Sequence, residues 1–84
     1  MFYLEPTDDL PMIRELLSWS KARRVVLVVP PRSRELQNKV NLKLLQRYSV
    51  GLGKEVSLVT GDHLTRELAY EVGLPTFFLS LIHI

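Results

Sequence analysis

Two groups of side chains in this sequence have the types and spacing to do chemistry. The first is Arg32-Ser33-Arg34, directly after the double proline Pro30-Pro31, together with Thr60 and Asp62 further along. Guanidinium groups, hydroxyls and the free amides of a helix start all donate to anionic oxygens, so this set could receive a phosphate. The second is Lys39, Lys43 and Arg47, four residues apart. On a helix that spacing makes one basic stripe. Such a stripe can contact nucleic-acid phosphates, each contact adding salt-dependent affinity.

Neither group has the company its chemistry usually keeps. G-x-G-x-x-G and G-x-x-x-x-G-K-[ST] are both absent, and no glycine lies between the chain start and Gly51. Close approach of a backbone to a pyrophosphate normally needs one. Exposed aromatic residues interleaved with the cations, which would stack bases, are also missing. Arginines in a polar loop and lysines on an outer helix face are most often simply solvated.

Other chemistries find less support. The chain has no cysteine, which excludes disulfides, thiolate catalysis and cysteine-bound metal. His63 and His83 stand apart and belong to no ligand-spaced cluster, so no metal site is expected. Ser33, Ser57 and Ser80 lack the surroundings of a nucleophile elbow. Glu5, Asp8 and Asp9 opposite Thr60 loosely resemble the acidic site of receiver domains, but Pro30 stands where that site needs an aspartate. Asp8, Asp9 and Asp62 are accounted for as helix caps. No catalytic residue and no cofactor is assigned.

The elements that would position these groups follow from periodicity. Eighty-four residues make one domain, spanning 1–84, and 46% hydrophobic with 24% charged residues is a globular composition. Val25 to Val29 is five apolar residues without alternation, which predicts a central strand with both faces buried. Phe2-Tyr3-Leu4, Val56 to Thr60 and Thr76 to Leu79 predict three more strands. Leu10, Ile13, Leu16 and Leu17 recur at helical spacing after the Thr7-Asp8-Asp9 cap, with Trp19 packing at the helix end. A second helix is expected from about Asn38 to Leu52, burying Val40, Leu44, Tyr48 and Leu52 with Leu45 beside them. A third begins after Asp62 and buries Leu64, Leu68, Ala69 and Val72. Gly53 and Gly73 suit left-handed positions past the second and third helices, the latter followed by Pro75.

The resulting order is β-α-β-α-β-α-β, an α/β domain with a four-stranded parallel sheet. A three-layer, Rossmann-like arrangement with helices on both faces is expected. Strand order 3-2-1-4 puts the apolar second strand inside the sheet, and 2-1-3-4 is the alternative. In open parallel sheets ligands bind outside the strand carboxyl ends. There this chain carries Arg32, Ser33, Arg34, Thr60 and Asp62.

Charge is unevenly spread. Nine of the 11 basic residues lie between Lys21 and Lys54, where Glu35 is the single acid, and the net charge is +2. That asymmetry is compatible with an anionic partner. The N-terminus has no signal-peptide pattern and no apolar run is long enough to span a bilayer, so a cytoplasmic domain without membrane contact is expected. The tail Ser80-Leu81-Ile82-His83-Ile84 is apolar to its last residue.

Several strings in order carry a resemblance. They are Val28-Val29-Pro30, Asn38-Lys39-Val40-Asn41-Leu42-Lys43-Leu44-Leu45-Gln46-Arg47-Tyr48, Gly53 to Thr60, and Arg66-Glu67-Leu68-Ala69-Tyr70-Glu71-Val72-Gly73-Leu74-Pro75. Together they resemble a small Rossmann-like domain near the N-terminus of uncharacterised bacterial proteins, some of them similar to phage baseplate J-like proteins. The resemblance covers most of residues 2 to 80. It implies a module of a larger bacterial protein and no established catalytic residues. The expected function is therefore non-catalytic. This would be an interaction or assembly domain that meets protein through an edge strand or the apolar tail, by way of the rest of its parent chain or by self-association. A nucleotide- or nucleic-acid-binding module is the rival expectation.

Overall fold

The computed structural model describes residues 1–31 and 33–78. Seven elements follow one another: β1 (Phe2–Tyr3), α1 (Leu10–Trp19), β2 (Arg24–Val29), α2 (Lys39–Gly51), β3 (Glu55–Thr60), α3 (His63–Val72) and β4 (Thr76–Phe78). The expected alternation is present and every strand pair is parallel. The strand order, however, is β1-β2-β3-β4, neither 3-2-1-4 nor 2-1-3-4. The second strand does lie inside the sheet, as its apolar content predicts, but each crossover carries the chain one strand further in the same direction.

That order decides the layering. Right-handed crossovers that all step the same way place all their helices on one face of the sheet. The core agrees. It gathers Leu10, Ile13 and Leu17 of α1, Leu42 and Leu45 of α2 and Ala69 of α3 against Val25, Leu27 and Val29 of β2 and Val56 and Leu58 of β3. Successive strand residues point to opposite faces, so these strand positions all lie on one side. The molecule has two layers, and the expectation of three is corrected. Val25–Val29 is apolar throughout yet alternates in burial, with Val26 and Val28 only half-buried.

The helix ends follow the sequence closely. Asp9, Asn38 and Asp62 are the N-caps of α1, α2 and α3. Gly53 and Gly73 adopt φ of 67° and 83°, the left-handed region where a Cβ is disfavoured. The buried faces follow it less closely. In α2 Leu42, Leu45 and Ser49 are buried, while Val40 and, just past the helix end, Leu52 are exposed. In α3 Thr65 and Ala69 are buried and Leu64 is exposed. Trp19 is 80% exposed and packs in no core. Among the described residues no helix is long and apolar enough to cross a membrane.

Candidate functional site

The strand carboxyl ends bring together most of the first group of candidate residues. Ser33 and Thr60 are buried and Asp62 is half-buried, while Arg34 points into solvent. Arg32 lies outside the described residues, as does the tail from Leu79 to Ile84. The Thr60 hydroxyl accepts from the Asp62 amide at 3.0 Å. Oδ2 of Asp62 accepts from the Thr65 hydroxyl at 2.6 Å, the Thr65 amide at 3.1 Å and Gln37 Nε2 at 2.9 Å. The Thr65 hydroxyl bond holds the Asp62 carboxyl below the usual carboxylate range. Burial opposes this shift, and the Gln37 and backbone bonds add to it. Gln37 also ties the β2–α2 loop to the start of α3, and Leu36 anchors the same loop in the core.

A residue that sequence reading passed over organises the rest of this rim. Glu35 accepts from the Leu10 amide at the start of α1 at 3.1 Å and from Asn41 Nδ2 in α2 at 2.9 Å. Asn41 donates as well to the Glu35 carbonyl at 2.9 Å. Oδ1 of Asp9 takes the Met12 amide, and Oδ1 of Asn38 takes the amides of Val40 and Asn41. Each helix N-terminus, the place where a phosphate would find free donors, is thus closed by the chain's own oxygens. Only a three-dimensional contact between residues 25 apart reveals the role of Glu35. Lys54 does the complementary work at the other end of α1, donating to the carbonyls of Ser20 and Ala22.

The topology removes the other support for a strand-end ligand. The crevice of open α/β sheets opens where neighbouring connections diverge to opposite faces. In the order β1-β2-β3-β4 all connections run on one face, so the described sheet has no such point. Nor do Ser33, Arg34, Thr60 or Asp62 line any of four surface grooves of 630, 520, 410 and 220 Å³. Among the described residues no cluster of His, Asp and Glu could hold a metal ion.

The basic stripe exists on α2, but it is broken by charge pairing. Lys39 Nζ lies 3.4 Å from the Glu71 carboxylate of α3, leaving Lys43 and Arg47 as the stripe's cations outside that pair. Arg24 likewise pairs with Glu55 across β2 and β3 at 3.0 Å, and Arg14 stacks over the Tyr48 ring at 5.0 Å from its centroid. The described arginines spread over the molecule and do not converge on one cleft.

The largest unassigned feature is the sheet face opposite the helices. In register, Tyr3, Val28, Val59 and Phe77 form one row across all four strands. Val26 and Ser57 form the next row, and the Arg24–Glu55 ion pair closes the amino end. Tyr3 is 76% exposed and Phe77 57%. Val59 is buried but belongs to no core cluster. Sequence reading missed this face because five apolar residues in a row signal what a strand is able to bury and not what covers it. In comparisons with protein families, with curated proteins and with solved structures, nothing matches this chain.

Proposed function

We propose that this domain is a non-catalytic interaction or assembly module and that it meets its partner protein through the open face of the sheet, the one that no described helix covers. The observation that supports this is the apolar row Tyr3–Val28–Val59–Phe77 on a sheet whose three helices all pack on the other side. An apolar patch spread over four strands is the kind of surface that marks a protein contact, and its one cation and one anion neutralise each other. The closed helix N-termini and the absence of a diverging pair of connections support the same reading, since both remove the usual seat of a small ligand. The resemblance to a domain of larger bacterial proteins points the same way, with the chain acting as one module of its parent, and a cytoplasmic setting suits it.

The chain lacks cysteine, so a photo-crosslinker can be placed at one chosen position. Ser57→Cys puts it on the open face and Lys43→Cys on the helical layer. The reading expects a discrete protein adduct from Ser57→Cys in the native cell, lost when Tyr3→Ser and Phe77→Ser are added, and none from Lys43→Cys. Equal adducts from both positions, or none from either, would count against it.

The rival reading, a nucleotide- or nucleic-acid-binding module, keeps one specific observation: Lys43 and Arg47 are exposed and carry no ion pair among the described residues. It requires affinity for oligonucleotides or ATP that falls steeply with salt and weakens in Lys43→Ala/Arg47→Ala.

A further inference from the structure

We propose that the outer flank of α1 is an isologous docking surface for a second copy of this chain, with the two α1 helices running antiparallel across a two-fold axis. α1 carries two apolar stripes. Leu10, Ile13 and Leu17 enter the core, whereas Met12, Leu16 and Trp19 recur four and three residues apart on another face. That second stripe, with the charged Glu15 beside it, lines a 520 Å³ groove next to Phe2 on the edge strand β1. Helix α2 covers the opposite side of α1, where Arg14 meets Tyr48. Among the described residues nothing covers the Met12–Trp19 side, where Met12 is 56% and Trp19 80% exposed.

Charge selects the occupant. Asp8 and Asp9 precede α1, and Lys21 and Arg23 follow it. Lys21 and Arg23 are exposed and enter no ion pair among the described residues. In an antiparallel pair centred between Glu15 and Leu16, Met12 of each copy lies against Trp19 of the other, and the two Glu15 carboxylates come near the axis, a repulsion that keeps the pair weak. The acidic end of each helix then meets the basic end of its mate, and the helix dipoles oppose. A parallel pairing would instead set like charges together at both ends. A nucleic acid would be repelled by the acidic half of the same flank. Trp19 and Met12 together expose roughly 300 Å² of side chain per copy. With the charged ends added the contact is still small, at or below the roughly 1,000 Å² that a specific interface usually buries. The dimer is accordingly weak and reversible, with a dissociation constant in the micromolar range.

Trp19 is the one tryptophan in the chain, so its emission reports on this flank directly. Sedimentation velocity and tryptophan emission are followed from about 5 to about 500 µM, a range that brackets micromolar association. The expected result is a monomer–dimer equilibrium with a blue shift that tracks the dimer fraction. Met12→Glu is expected to leave a folded monomer, judged by circular dichroism. Lys21→Glu/Arg23→Glu should weaken the dimer about tenfold or more, by setting acid against acid at both ends. Tyr3→Ser/Phe77→Ser, on the separate open face, should leave it unchanged. A chain that stays monomeric across the range overturns the proposal. So does a dimer that survives Met12→Glu, or one that disappears in Tyr3→Ser/Phe77→Ser. Because the open face takes no part, the proposed function can fail or stand independently of this outcome.

Discussion

Asp62 gathers three donors on one carboxylate oxygen, two from Thr65 and one from Gln37. It is therefore both the cap of α3 and the joint between α3 and the β2–α2 loop. Asp62→Ala removes the cap and leaves the Gln37 amide with the Pro31 carbonyl alone, and is expected to cost about 1–2 kcal/mol in urea unfolding at neutral pH. The folded carboxyl titrates below its ordinary value, chiefly through the Thr65 hydroxyl. Its contribution is then fully present above the unfolded value near pH 4 and is lost as pH falls through the depressed folded value. Asp62→Asn keeps an acceptor but cannot titrate. The stability gap between wild type and Asp62→Asn should thus be widest at neutral pH and shrink toward about pH 2. A gap that is the same at both ends would show that the carboxylate charge contributes nothing. The caps Asp9, Asn38 and Asp62 were legible in the sequence because capping is a local interaction, decided within three residues. Glu35 was not, because its partner Leu10 is distant in the chain and only the packed fold brings the two together.

At the scale of elements, the seven segments were legible and their buried faces only in part. Helix α2 shows why. Apolar residues stand at Val40, Leu42, Leu44, Leu45, Tyr48, Val50 and Leu52, which surrounds most of the helix axis. A periodic signal that wide does not fix which side meets the sheet. The tertiary contacts choose Leu42 and Leu45, and they leave Val40 in solvent. Leu45→Ala is accordingly expected to cost about 2–5 kcal/mol, and Val40→Ala to stay within about 0.5 kcal/mol, by thermal or urea unfolding. The opposite ranking would restore the face first expected from spacing. At the end of α3, Gly73 has open space around the position of a Cβ, so no clash would oppose Gly73→Ala. Its φ of 83° alone should make that change cost about 1 kcal/mol, a conformational effect separated cleanly from packing.

At the scale of the whole molecule, strand order was the quantity the sequence could not supply. A βαβ unit specifies a parallel pair and a right-handed crossover, but not on which side of the growing sheet the next strand is laid down. The orders 3-2-1-4 and β1-β2-β3-β4 both place Val25–Val29 inside the sheet, so the apolar content of that strand does not separate them. The consequence of the observed order is a sheet with two unlike faces, and it can be tested along one strand. Leu27 and Leu58 are register partners on the helical face, and both are fully buried. Val28 and Tyr3, partners one residue further along, lie on the open face. In a three-layer domain both pairs would sit under helices and truncation of either would be severe. Here Leu27→Ala or Leu58→Ala should each cost about 2–5 kcal/mol, a large share of the stability of a domain this small. Val28→Ala should cost about 1 kcal/mol and Tyr3→Ala less still, because Val28 is only half-buried and Tyr3 is largely exposed. Urea unfolding of the four variants decides the matter. Equal losses at Leu27 and Val28 would mean that something packs on the second face in the isolated chain, and a partner would then have no apolar row to meet.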